Sequence, residues 1–238
     1  MKAACHAGYD WRKRNPHIAR FSYWRKPHKL PNMAARGPYK KGVAKRAEIL
    51  NSALKVIDEN GYSNATVKEL ADAVGLSQNG LLHYFGSKDR LFLEILRHRD
   101  EQLAIRVGAD PHTLAGEFSD RVLGASAEVA AAPGLLELGL RLSIEASEPV
   151  HPAHEFFRQR YENVRVVTAA AIDDLRAAGA ISERVDPAMA AALINAAMEG
   201  LQAQWSYDAS IDVGAHMSYL LDALGIARAE EGSAPIPT

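Results

Sequence analysis

Hydrophobic positions first take on a helical rhythm at Val43, with Ile49, Leu50, Ala53, Leu54 and Ile57 recurring at three-to-four spacing until Asn60-Gly61 supplies a left-handed stop. A second helix opens at Thr66, an N-cap followed three residues later by Glu69, and Leu70, Ala71 and Val74 form its inner face before Gly75 ends it. Ser77 caps a short third helix whose apolar side is Leu81, Leu82 and Phe85. Two helices joined by a turn of about three residues make a helix-turn-helix. Ser87 then caps a fourth helix that carries Leu91, Ile95, Leu96, Leu103 and Val107 to a break at Gly108–Pro111. At ~1.5 Å per residue it is about 30 Å long, enough to join two domains.

The same periodicity predicts further helices near 112–131, 134–148, 152–178, 187–207 and 212–224, with stops at Pro133-Gly134, Pro149, Gly179 and Gly225. Asp186-Pro187 is an N-cap followed by proline at the first helical position. No strand pattern and no internal repeat emerges. The expected fold is all-α, with about nine helices: a three-helix helix-turn-helix head over 33–86 and a C-terminal helical bundle over 87–225. Residues 226–238 read as a loose tail.

Composition narrows the class further. The 238 residues are 47% hydrophobic but only 7% aromatic, and the single cysteine, Cys5, excludes a disulfide framework and a cysteine-based zinc site. Glu137, Arg141 and Glu145 interrupt the most apolar stretch, around Leu135–Ile144, so no membrane span is expected and the default compartment is the cytoplasm. Charge is distributed unevenly: residues 1–32 carry +7, residues 33–100 carry +3 and residues 101–238 carry −11, with no lysine after Lys88. A basic front and an acidic back direct only the front toward a polyanion.

Residues 1–32 stand apart, with WRKR at Trp11–Arg14, YWRK at Tyr23–Lys26 and no apolar periodicity. They read either as a basic, aromatic extension that adds nonspecific nucleic-acid affinity or as sequence upstream of a start at Met33. Either way they are expected to be disordered in isolation.

The segment Thr66–Leu91, TVKELADAVGLSQNGLLHYFGSKDRL, resembles the DNA-binding head of tetracycline-repressor (TetR) family regulators. Thr66, Leu70, Ala71, Gly75, Leu76, Ser77, Leu81, Tyr84, Phe85, Ser87, Lys88, Asp89 and Leu91 fit that family's pattern, and the likeness covers about residues 43–95. Where the family usually has tyrosine this chain has Leu82, so a phosphate-contacting phenol is absent. The resemblance then shifts that contact to His83 and Tyr84, unless Leu82 simply packs on the first helix. It also implies DNA contacts at Thr66 and Lys68, a homodimer on a palindromic double-stranded operator, and release by a small-molecule effector.

The residues make a parallel case. A recognition helix reads bases from its exposed N-terminal positions, here Gln78, Asn79 and Gly80. Glutamine and asparagine form bidentate hydrogen bonds to an adenine edge, and Gly80 permits close backbone approach. Lys88 places a cation in the first turn of a helix, against the local dipole preference, which suits a docked DNA phosphate. Arg36, Lys40, Lys41, Lys45 and Arg46 put five cations in eleven residues just ahead of and into the first helix, without an acid among them. Lys40 and Lys41 are the backbone-contact candidates of this run.

In the acidic half, the resemblance places a ligand cavity among the helices, for which Phe118, Phe156, Tyr161, Asn195, Glu199 and Trp205 are lining candidates. Small residues Ala192, Ala196 and Gly200 on one helix, and Met217, Leu220, Leu221 and Leu224 on the next, resemble the pair that dimerises in the family. Their alternative is burial within one subunit. His151 and His154 flank Pro152 at metal-ligand spacing, but no third partner is near in sequence, so neither a metal nor another cofactor is expected. No phosphate loop, G-x-S-x-G or H-E-x-x-H is present, and no catalytic residue is assigned. The expectation is a DNA-binding regulator, most simply a repressor. Its rivals are a ligand-independent DNA-binding dimer and, against the absence of any catalytic constellation, an all-helical enzyme.

Overall fold

Helix α1 runs from Gly37 to Asn60, six residues earlier than the apolar pattern starts, with Pro38 in its first turn, where a missing N–H is harmless. The computed structural model describes residues 37–107 and 115–226, with side chains described over 42–103 and 117–226. Gly61 closes α1 at φ 75°, its N–H donating to the Ile57 carbonyl at 2.9 Å, and a 3₁₀ turn, Tyr62–Asn64, follows.

Helices α2 (Val67–Ala73) and α3 (Gln78–Phe85) are each fixed at the start by a side-chain cap. Thr66 Oγ1 accepts from the Glu69 N–H at 3.2 Å, while the Glu69 carboxylate accepts from the Thr66 N–H at 2.8 Å, completing the box the sequence predicts. The turn between them needs Gly75 at φ 67°, a region that side chains with a Cβ rarely enter. Ser77 Oγ accepts from the Gly80 N–H at 3.1 Å, and Ser87 Oγ caps α4 (Lys88–Val107) through the Arg90 N–H at 3.2 Å. Leu70, Leu81, Leu91 and Ile95 are buried where α1 to α4 meet.

The remaining described helices are α5 (Ala115–Ala130), α6 (Pro133–Glu145), α7 (His154–Ala177), α8 (Pro187–Trp205) and α9 (Val213–Ala223). No strand occurs among the described residues. Helices α5, α7, α8 and α9 enclose a second core containing Phe118, Ile172, Leu175, Ile194, Met217 and Leu221. Ile226 is fully buried in that core, its N–H donating to the Leu221 carbonyl at 2.9 Å. It therefore ends the packed body rather than starting a loose tail; residues 227–238, like residues 1–36, lie outside the described residues.

Helix α6 docks the body on the head. Its charged stripe is used there: Arg141 pairs with Glu137 at 2.7 Å and lies 5.7 Å from the Tyr62 ring centroid, and Ser63 donates to Glu137 at 3.1 Å. The rest of α6 is less enclosed than its apolar sequence implies, since Ile144 is 73% exposed. At its start, Gly134 approaches the α1 backbone so closely that an added Cβ would collide with the Ile57 carbonyl oxygen and crowd the Gly61 Cα. Both obstacles are backbone. Gly134→Ala is accordingly expected to destabilise the protein by about 1–3 kcal/mol, the cost typical of overpacking. Urea denaturation of the two proteins checks it, and an unchanged midpoint would exclude this close approach.

Candidate nucleic-acid interface

Gln78 and Asn79 are exposed at the start of α3, held there by the Ser77 cap on one side and by buried Leu81 and Phe85 on the other. The cap matters because it fixes the helix end from which base-reading side chains project. Gly80 is half-buried, and a Cβ there would sit 3.2 Å from Ser77 Oγ, so its lack of a side chain already serves the turn within this chain. Lys68 is exposed on α2, and Thr66 is exposed but has its hydroxyl engaged in the capping box.

Further along α3, His83 is exposed and Tyr84 half-buried, their rings meeting edge to face at 6.5 Å between centroids. Leu82 is also half-buried. The Lys88 ammonium is exposed at the first residue of α4, 5.7 Å from the centroid of the Phe92 ring, and Asp89 beside it supplies the acid that the helix dipole favours. Gln78, Asn79, Lys68 and Lys88 thus combine exposure with capped, packed supports. Nothing in their surroundings uses the polar ends of Gln78, Asn79 or Lys68 within the described residues.

The basic run upstream divides differently from its appearance in sequence. Lys40 and Lys41 stand inside the start of α1 rather than ahead of it, and their side chains lie outside the described residues. Lys45 pairs with Glu48 at 2.8 Å. Arg46 is turned inward: it pairs with Glu94 at 2.8 Å, donates to the Tyr84 carbonyl at 2.9 Å and lies 4.6 Å from the Phe85 ring centroid. Arg46 is a joint between α1, α3 and α4. Its partner Glu94 lies 48 positions away, too far for any local pattern to disclose.

The effector candidates are not gathered around one space. Phe118 is buried in the body core and Trp205 packs against it. Phe156 is buried under Arg97, 5.3 Å from guanidinium carbon to ring centroid, and meets Phe157 edge to face. Tyr161 and Glu199 lie close enough to influence each other's charge, beside Arg160, whose Nη1 is 3.4 Å from Glu199. Burial pushes the Glu199 carboxyl above its ordinary range, with Arg160 and the Tyr161 hydroxyl opposing. Asn195 lies one turn before Glu199 on α8, and its Nδ2 is buried without a partner; the Oδ1 of buried Asn163, one turn beyond Arg160 on α7, is equally unpaired. Neither of the two cavities described in this structure is lined by any of the six candidates.

The dimer candidates also separate. Met217 and Leu221 are fully buried in their own chain, and Leu220 and Leu224 are partly buried against the same core, so within one chain α9 already spends its two central apolar positions. On α8, by contrast, Ala196 is exposed and a side chain at Gly200 would meet open space. Before them stand Met189, 69% exposed, and Leu193, 58% exposed, on the same stripe at three-to-four spacing. Ala192 is half-buried beside it. Periodicity alone missed Met189 and Leu193 because both read as ordinary helix-interior apolar residues.

His151 and His154 make local hydrogen bonds, to the Ala153 N–H at 3.1 Å and the Ala146 carbonyl at 2.8 Å. Among the described residues no three potential ligands converge on a metal-sized site, and no single helix is long and apolar enough to cross a membrane.

Residues 49–95 match the family described as "Bacterial regulatory proteins, tetR family". The chain is 29% identical over 134 residues to the HTH-type transcriptional repressor Rv1474c of Mycobacterium tuberculosis, covering 56% of this chain and 66% of that protein. It is 41% identical over 64 residues to the HTH-type transcriptional repressor AcnR of Corynebacterium efficiens, covering 27% of this chain and 34% of the repressor. The matches thus span from about a third to just under two thirds of these relatives. Among solved structures, a TetR-family regulator from Rhodococcus sp. superposes with a TM-score of 0.61 at 22% identity, covering 76% of this chain and 99% of that one. A regulator from Saccharomonospora viridis solved in complex with choline gives the same TM-score at 22% identity, over 76% and 95% of the two chains.

Proposed function

We propose that this chain, whose residues 49–95 form a tetR-family head, is a homodimeric DNA-binding transcription regulator, a repressor that a small-molecule effector releases from its operator. Residues 33–86 act as the DNA-binding domain and residues 87–225 as the domain for effector binding and dimerisation. The observation that carries the reading is the capped start of α3, where Gln78 and Asn79 stand exposed on a turn held by Ser77 and Gly75. The related repressors named above support the sign of control. The unpaired Asn163 Oδ1 and Asn195 Nδ2, buried beside the Arg160–Glu199 pair, support a polar ligand in the body.

In this reading Gln78, Asn79 and Gly80 face base edges, and Lys40, Lys41, Thr66, Lys68, His83, Tyr84 and Lys88 contact the backbone or groove. The test uses an operator selected from a random DNA pool. Gln78→Ala is expected to cost ~1–3 kcal/mol on that operator with little effect on random DNA. Lys88→Ala is expected to weaken both alike and to lower the salt slope by about one. Two variants that behaved identically on both DNAs would sink the assignment.

A further inference from the structure

A cavity of about 520 Å³ opens where head and body meet, between the end of α3, one face of α4 and the turn before α7. That volume falls within the range of small-molecule sites. Its wall carries three arginines, Arg46, Arg90 and Arg97, against one acid, Glu94, with the backbone near Tyr84 and Pro152 completing it. Glu94 is already shared, pairing with Arg46 at 2.8 Å and with Arg97 at 2.7 Å. The surplus is two positive charges.

The donors left over point to what would occupy the space. Arg97 gives only Nη1 to Glu94; its Nε is buried and has no hydrogen-bond partner. That nitrogen is closed to water-sized groups, so what Arg97 offers the cavity is the outer part of its guanidinium, a group that pairs with carboxylates and phosphates. Arg90, one turn before Glu94 on the same face of α4, is exposed, lies over Gly86 and has no ion-pair partner among the described residues. An anion in the cavity would offset the two surplus positive charges of its wall.

We propose that this cavity is a binding site for a small dianion, a dicarboxylate or a phosphate compound, held by the guanidiniums of Arg97 and Arg90. An occupant touches α3, α4 and the approach to α7 at once, so it ties the head to the body. The site is separate from the Tyr161–Glu199 cluster and does not depend on DNA binding.

Calorimetric titration of the full chain, without DNA, with succinate and separately with inorganic phosphate tests the proposal. Saturable binding of either anion is expected, weakened at least tenfold by Arg90→Gln and by Arg97→Gln and unchanged by Arg184→Gln, an exposed arginine outside the cavity. Succinate alone binding assigns a carboxylate ligand; phosphate alone assigns a phosphate ligand. Arg90 has no ion pair to lose among the described residues, so Arg90→Gln keeps the test decisive if Arg97→Gln loosens the fold. Binding weaker than ~1 mM for both anions, or equal binding by all three variants, overturns the proposal. So does a loss of DNA affinity in Arg90→Gln with no anion bound, since Arg90 would then be a contact to the DNA backbone.

Discussion

Replacing Leu193 with Glu, or Gly200 with Leu, is expected to yield folded monomers that bind the operator about 10²–10⁴-fold more weakly than the parent, because tethering of the second half-site is lost. Met189, Leu193, Ala196 and Gly200 form one stripe along α8, exposed as far as Ala196 and small in its second half, which lets two helices approach closely about a two-fold axis. A charge at Leu193 opposes burial of that stripe. A Cβ at Gly200 meets nothing within its own chain, so a leucine there is expected to leave the monomer intact while keeping partner helices apart. Leu221→Glu is the contrasting case. It places a carboxylate in the body core, where no described partner waits, and is expected to unfold the body rather than split a dimer. Sedimentation and circular dichroism of the three variants decide between these outcomes. Dimers that survive both α8 changes would move the interface elsewhere, and a folded Leu221→Glu monomer would restore α9 to the seam.

The difference between α8 and α9 shows where sequence reasoning stops. Periodicity says which residues share a helix face, and it correctly grouped Met217 with Leu221 and Ala196 with Gly200. It does not say whether a face meets its own chain or another copy, because both present the same apolar spacing. Caps were legible for the opposite reason. Thr66, Ser77, Ser87 and Asp186 each satisfy an N–H three residues ahead, so cause and effect lie within one turn. The head's order of elements followed from these local bonds and from the glycine stops. Charges were the least legible feature. Arg46 reads as a free cation in a basic run, yet its carboxylate partner comes from α4. Equally, nothing near Asp100 in sequence announces Arg160, sixty positions on. The available hint was Asp100 itself, one turn after buried Leu96 on a face that should be apolar.

That buried acid carries the largest stability effect expected of a single polar side chain here. Asp100 on α4 is 5% exposed and accepts from Arg160 Nε of α7 at 2.8 Å and from Arg99 Nη2 at 3.1 Å. Arg99 Nη1 in turn donates to the Leu135 carbonyl of α6 at 3.0 Å, and Arg160 reaches Glu199 of α8. One carboxylate thus holds four helices through two guanidiniums. Burial pushes the Asp100 carboxyl up, but Arg160 and Arg99 outweigh it and leave the group below the ordinary carboxylate range. Asp100→Asn keeps the shape and removes the charge, leaving two half-buried arginines without the carboxylate between them. The expected loss is about 3–5 kcal/mol, a large part of the ~5–15 kcal/mol that holds a typical domain. The pH dependence has a definite sign. A carboxyl with a depressed native pKa stabilises fully above its unfolded value, ~3.9, and the contribution disappears as pH falls through the lower native value. The gap between parent and variant in urea denaturation should therefore be widest near neutral pH and narrow below about pH 4. A variant as stable as the parent at neutral pH, or a gap that widened in acid, would mean that Asp100 does not bind these helices together as a charge.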